Sequence, residues 1–160
     1  MPPVVRDARP DDRAVIVDFN RRLAAETEGK ALDLAVLDRG VARALADPAL
    51  IRYWVAEEGD PARVVGQVGI TREWSDWRDG WIWWYQSVYV LEGSRGAGVF
   101  RALHGHVRDL ARSTPEVIGL RLYVEAANDR AQRTYRALGL KPGGYDVYED
   151  LWIGREVRGD

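Results

Sequence analysis

The chain has 160 residues, enough for one domain with its own core, and 46% hydrophobic with 30% charged residues is ordinary globular composition, which excludes global disorder. Its 23 basic and 25 acidic side chains leave a net charge of −2, so the basic excess of a nucleic-acid or membrane-surface binder is missing. There is no cysteine, which removes disulfides, thiolate nucleophiles and cysteine-held metals together. The first residues carry no signal pattern, and no apolar run reaches the ~20 residues of a membrane helix. The expectation is a cytoplasmic protein with a single domain over 1–160, no nucleic-acid partner and no membrane.

Residues 2–7 are short and β-prone. Pro10, Asp11 and Asp12 then open a helix whose Ile16, Phe19 and Leu23 recur at helical spacing. Asp33 has the position of an N-cap for a second helix that Pro48 stops. A β region follows, with strands expected over residues 51–56, 64–74 and 81–90. Turn signals separate them at Gly59-Asp60-Pro61 and Asp79-Gly80, so the three read as an antiparallel meander. Trp81, Trp83 and Tyr85 alternate to one face and Trp84 to the other, as in a central strand buried on both sides. Pairing Trp74 with Trp81 sets Glu73 opposite Ile82 and Thr71 opposite Trp84, on the side of Gln86.

After Gly98 the period changes. Phe100, Leu103, Val107 and Leu110 share one face of a helix. His104 and His106 on it are two apart, do not share a face and make a poor metal pair; both read as partly exposed. Residues 117–125 alternate again, residues 128–138 read as a short helix ended by Gly139, and residues 145–152 as a last strand. The order β-α-α-β-β-β-α-β-α-β indicates an α/β (α+β) fold: a mixed, mostly antiparallel sheet flanked by helices.

Two elements carry chemistry. The first is the strand that ends Val88-Tyr89-Val90 and runs into Arg95-Gly96-Ala97-Gly98-Val99-Phe100. A strand, a glycine-rich turn and a helix start aim several backbone N–H groups at one spot, where the helix dipole adds positive charge. Gly96 and Gly98 permit positive φ, and the natural ligand is a phosphate or pyrophosphate. A tight strand-to-helix connection has the same pattern, so this element alone decides nothing. The second is Asn128-x-x-Ala131-x-x-x-Tyr135-x-x-x-Gly139, where Asn128 suits a helix cap and Tyr135 projects on the same side.

Together, in this order and spacing, the two elements resemble the GNAT superfamily of acyl-CoA-dependent N-acetyltransferases. The Trp74-Ser75-Asp76-Trp77-Arg78 hairpin is similar to a subgroup of that family without an assigned substrate. The resemblance implies acetyl-CoA as co-substrate, no metal, and an amine acceptor. It implies that the backbone at Val88 and Val90 pairs with the pantetheine arm, that the Val88 amide polarises the thioester carbonyl, and that the amides of Arg95, Gly96, Ala97, Gly98, Val99 and Phe100 hold the pyrophosphate. Asn128 would bond the pantetheine or support the helix that does, and Tyr135 would protonate the leaving thiolate.

The chain departs from the family pattern in two places. Phe100 stands where the family has Gly or Ala. No Asp or Glu lies within residues 81–91, where many members carry a carboxylate base. Other acids near an acceptor are Glu26 and Glu28 after the first helix and Glu73, which at about 3.4 Å per residue lies roughly 10 Å or more along the strand from Gln86. With Trp84 and Gln86 these make an acceptor pocket suited to a small cationic amine. Three readings follow: an acetyltransferase acting by direct attack, an acyl-CoA-binding or regulatory module with little turnover, and a protein of this fold that binds no CoA. A homodimer is an option the aromatic residues leave open.

Overall fold

The computed structural model describes residues 1–152. The chain falls into two compact units, Met1–Asn128 and Asp129–Asp160.

The first unit runs β1 (Val4–Asp7), α1 (Arg13–Glu28), α2 (Leu34–Ala46), β2 (Arg52–Glu58), β3 (Arg63–Ser75), β4 (Gly80–Val90), α3 (Val99–Ser113) and β5 (Val117–Leu122). The five strands form one sheet in the order β1-β2-β3-β4-β5. The first four pair antiparallel and β5 joins β4 in parallel, which is the pairing that needs a crossover helix; α3 supplies it. The meander is the expected one, and Trp74 does stand opposite Trp81.

Two apolar layers hold the unit. Val99, Leu103, Val107 and Ala111 of α3 bury against Trp54, Val68, Ile70, Trp83 and Tyr85. On the opposite face Ile16 of α1 and Val41 and Ala44 of α2 bury against Tyr53 and Val55. Asp33 caps α2 as expected, accepting from the Ala35 and Val36 amides at 2.9 and 3.1 Å.

The acids that open α1 behave differently from the expectation. Pro10–Asp12 is a 3₁₀ turn, α1 starts at Arg13, and Asp12 is buried. Its carboxylate accepts from the Arg9 amide at 2.6 Å and twice from the Arg6 guanidinium at 2.8 and 3.0 Å. Arg6 also reaches Glu57 on β2. Asp12 therefore closes the chain entry onto the sheet. Burial pushes its carboxyl up, but the Arg6 and Arg9 bonds outweigh that and hold it below the usual value.

The α3 stripe is also rotated from the expected one. Val99 and His104 are buried, whereas Phe100 and Leu110 are half-buried.

The second unit holds α4 (Asp129–Ala137). It ends as the sequence indicates: Gly139 takes φ 91° and the Leu140 amide returns to Tyr135 O at 3.0 Å. The strand expected over residues 145–152 is not formed by those residues. Tyr145, Val147, Tyr148, Leu151 and Trp152 are exposed, so the alternating pattern has no buried face to order it. Among the described residues no helix is long and apolar enough to cross a membrane.

Candidate active site

The site is set by where β4 loses its neighbours. On one side Ile70 stands opposite Tyr85 and Gly69 opposite Ser87, so Gln86 has no opposite residue and forms a bulge. The bulge resets the alternation: Val88 and Val90 pack on the same α3-side core as Trp83 and Tyr85, where an unbroken strand would turn them to the opposite face. On the other side β5 follows β4 only as far as Tyr85 opposite Leu122. Among the described residues no strand pairs with residues 86–90 on that side, which leaves a sheet edge able to accept an extended ligand. The Leu91 amide donates to Val65 O on β3 at 2.9 Å. Alternation from that bond turns the N–H and C=O groups of Val90 and Val88 toward the open edge.

A 3₁₀ turn at Glu92–Ser94 joins the edge to the glycine turn. Gly96 and Gly98 take φ of 77° and 88°, as expected, and a Cβ built on either meets nothing within 4 Å. Gly98 is the N-cap of α3 and brings no side chain, and the first intrahelical bond runs from the Ala102 amide to Gly98 O at 3.0 Å. The amides of the first turn thus precede the helical ladder and point out of it at the positive end of the dipole. Val99 is fully buried and anchors that turn on β3, where Gly66 gives it room. The Phe100 ring lies against His104 at 6.0 Å, so it fills space beside the helix while its backbone stays in the turn.

Arg95, though exposed, engages its side chain with its own chain. Nε donates to Val90 O at 2.9 Å and Nη2 to Glu26 at 2.6 Å, with the guanidinium 5.5 Å from the Tyr89 ring centre. Glu26 also accepts from the Tyr89 hydroxyl at 2.8 Å. Burial pushes the Glu26 carboxyl up, but the Arg95 and Tyr89 bonds outweigh it and leave it below the usual carboxylate value. Glu26 is thus a fixed anion joining the end of α1 to the edge of β4, and a poor proton acceptor. Glu28, exposed, pairs only loosely with Lys30 at 3.6 Å.

A second cluster forms on the exposed part of the α1-side face. Glu73 accepts from the Trp84 indole N–H at 2.5 Å and lies 3.4 Å from the Arg121 guanidinium. Trp84 packs on Tyr123 with ring centres 4.5 Å apart. Glu73 and Trp84 therefore do share a face, as the hairpin register requires, and Arg121 and Tyr123 of the adjoining chain join them. Neither of these two was singled out by the sequence, because only the parallel pairing of β5 brings them beside Trp84.

Asn128 closes a turn, its amide donating to Glu125 O at 2.9 Å, directly before α4. Tyr135 lies half-buried on α4 in the second unit, and burial pushes its hydroxyl above the ordinary tyrosine value. His104 departs from expectation: it is buried, with Nδ1 2.6 Å from the Tyr85 hydroxyl. Its place beside Leu103 on a helix whose buried stripe starts at Val99 was the available signal.

The chain matches the Acetyltransferase (GNAT) family over residues 16–140. No curated protein matches it. Among solved structures it is similar to a possible acetyltransferase from Clostridium difficile 630, with 40% identity, 96% of this chain and 99% of that one covered, and a TM-score of 0.85. It shares its fold with a predicted acetyltransferase with acetyl-CoA from Clostridium acetobutylicum, at 17% identity, 92% and 96% coverage and a TM-score of 0.73. It also shares its fold with a ribosomal-protein-alanine N-acetyltransferase from Brucella melitensis biovar Abortus 2308, at 15% identity, 93% and 99% coverage and a TM-score of 0.72.

Proposed function

The chain belongs to the acetyltransferase (GNAT) family, and on that premise we propose that it transfers an acetyl group from acetyl-CoA to a primary amine, with a small cationic amine preferred, by direct attack in a ternary complex. The observation that carries this reading is the open β4 edge followed, after one 3₁₀ turn at Glu92–Ser94, by a helix start with no side-chain cap. A ligand with an amide-bearing arm and a pyrophosphate needs that pair of features in that order. The turn is free of obstruction, since the glycine Cβ positions at Gly96 and Gly98 face open space.

Acetyl-CoA supplies an activated acyl thioester. The chain's part is positioning and electrostatics. Val88 offers its edge-facing backbone groups and Val90 its N–H to the arm, the Val90 carbonyl being held by Arg95, and the Val88 N–H holds the acyl oxygen. The turn from Gly96 to Phe100 holds the diphosphate through its amides, whereas the Arg95 amide, expected among them, donates to Glu92 O at 3.2 Å. The Arg95 guanidinium contributes indirectly, because it is bound to Val90 O and Glu26. The family resemblance assigns Tyr135 the proton given to the departing thiolate, and its hydroxyl, pushed up by burial, carries that proton at neutral pH. Asn128 supports the chain just ahead of that helix. The absence of any cysteine to carry an acyl group favours direct attack over a thioester intermediate on the chain.

The acceptor lies against Trp84, Glu73 and Gln86, with Glu26 and Glu28 adding negative charge from α1. Glu73 already holds the Trp84 indole and faces Arg121, so its role is to bind an ammonium rather than to take a proton. No carboxylate stands on β4 itself, and deprotonation of the amine falls to solvent or to the bulk equilibrium. That gap favours, as a second reading, a module that binds acyl-CoA with little turnover.

Thiol release from acetyl-CoA across a panel of primary amines separates the two. The proposal expects release with at least one cationic amine, and a fall of about 10²-fold or more in Tyr135→Phe with acetyl-CoA affinity unchanged. Tight binding without release on any amine would leave the second reading.

A further inference from the structure

The buried polar pair between β4 and α3 has no part in the chemistry above. His104 and Tyr85 both lie inside the α3-side core, 4% and 3% exposed. Nδ1 of His104 and the Tyr85 hydroxyl are 2.6 Å apart, and His104 Nε2 is buried without a hydrogen-bond partner among the described residues. The ring is flanked by Phe100 at 6.0 Å and Tyr85 at 5.9 Å. Burial, with Arg108 adding to it, pushes the imidazole pKa down and keeps the ring neutral.

A pair of this kind is a poor way to gain stability. Two apolar side chains of similar shape would leave no ring nitrogen unsatisfied and would serve the core at least as well. What a hydrogen bond adds is a fixed distance and direction. The two ends of this one are placed where distance matters. Tyr85 is the last residue at which β4 is paired on both sides, immediately before the Gln86 bulge and the open edge. His104 sits in the first half of α3, behind Phe100 and the glycine turn.

We propose that Tyr85 and His104 are positioning residues that set the spacing between the open edge of β4 and the helix start of α3, and so tune the chain for a ligand that must engage both at once. The proposal rests on the reading of those two features as the acyl-CoA site. It predicts a dependence on ligand length that a general loss of packing would not produce. A molecule that meets only the turn is indifferent to the spacing. One that spans turn and edge is not.

The test uses Tyr85→Phe and the double variant Tyr85→Phe/His104→Leu, the second removing both polar groups from the core. Each is titrated calorimetrically with acetyl-CoA and with adenosine 3′-phosphate 5′-diphosphate, its nucleotide half, and melted without ligand. The double variant is expected to melt within a few degrees of wild type, showing an intact core. Acetyl-CoA should bind it about tenfold more weakly, the scale of a small misplacement at a site that holds two ends. The nucleotide half should bind as it does to wild type. Tyr85→Phe alone should melt lower, since it takes the hydroxyl from His104 Nδ1, and should show the same split between the two ligands.

Equal weakening of both ligands, or unchanged acetyl-CoA affinity in the double variant, would overturn the positioning role. A wild-type chain that binds neither ligand would overturn the acyl-CoA site itself, and the inference with it.

Discussion

Gly98→Ala tests whether the glycine turn has the shape described and whether that shape serves a ligand. Gly98 takes φ 88°, a region where an alanine is strained by roughly 1–2 kcal/mol. A Cβ there meets nothing within 4 Å, so no clash adds to the backbone cost. For a chain of this length about 1 kcal/mol moves the midpoint by roughly 2–4 °C, so Gly98→Ala should melt about 2–8 °C lower. Gly96→Ala, at φ 77°, should behave alike. Gly93→Ala is the internal control. It has equal open space around the Cβ and no positive φ, and should melt as wild type. The ligand effect is separable, because the open space that the methyl enters at Gly98 is the space through which a diphosphate would approach the amides. Acetyl-CoA affinity, measured by calorimetric titration well below the melting range, should therefore fall in Gly98→Ala and hold in Gly93→Ala. A melting point unmoved by both Gly96→Ala and Gly98→Ala would refute the left-handed turn. A lowered melting point with unchanged affinity would refute its role as the diphosphate site.

Three further outcomes follow from particular contacts. Asp12→Asn removes the anion that accepts from Arg6 and Arg9 and should cost about 2–3 kcal/mol in denaturant titration. Because the folded carboxyl lies below its unfolded value, that stability is fully present above about pH 4 and is lost as pH falls through the folded value; the variant should lose less stability than wild type on acidification. Gly66→Ala places a Cβ 2.8 Å from Val99 Cγ1 under the first turn of α3, and should cost about 1–3 kcal/mol and weaken acetyl-CoA binding with it. Glu73→Gln should raise the KM of a cationic acceptor by about tenfold, the scale of a charge-assisted contact, and leave the KM of acetyl-CoA unchanged; movement of both together would place Glu73 outside an acceptor site.

Much of this arrangement is readable from residue order alone, and the parts that are not share a cause. Asp79-Gly80 fixes the hairpin, and with it the register that puts Trp74 against Trp81 and Glu73 on the face of Trp84. Gly96 and Gly98 announce their backbone conformation because few other residues adopt it. The bulge at Gln86 leaves no such mark. Residues 81–85 are apolar on both faces, so the alternation has no polar phase to break. The expected α3 stripe shares Leu103 and Val107 with the buried one but takes Phe100 and Leu110 where Val99 and Ala111 are buried, a difference that hides His104. The pairing of Arg95 with Glu26 joins residues far apart in the chain, and no spacing along the sequence marks it. Residues 145–152 show that alternation marks a face but supplies no partner.

The most direct test of the central claim is calorimetric titration of acetyl-CoA into the wild-type chain and into Gly98→Trp, whose indole would fill the open space before the α3 amides. Saturable binding to wild type, lost in a Gly98→Trp protein that remains folded, is the result expected if the β4 edge and the glycine turn form an acyl-CoA site. Equal binding to both would move the site elsewhere, and no binding to the folded wild type would contradict the proposed transfer itself.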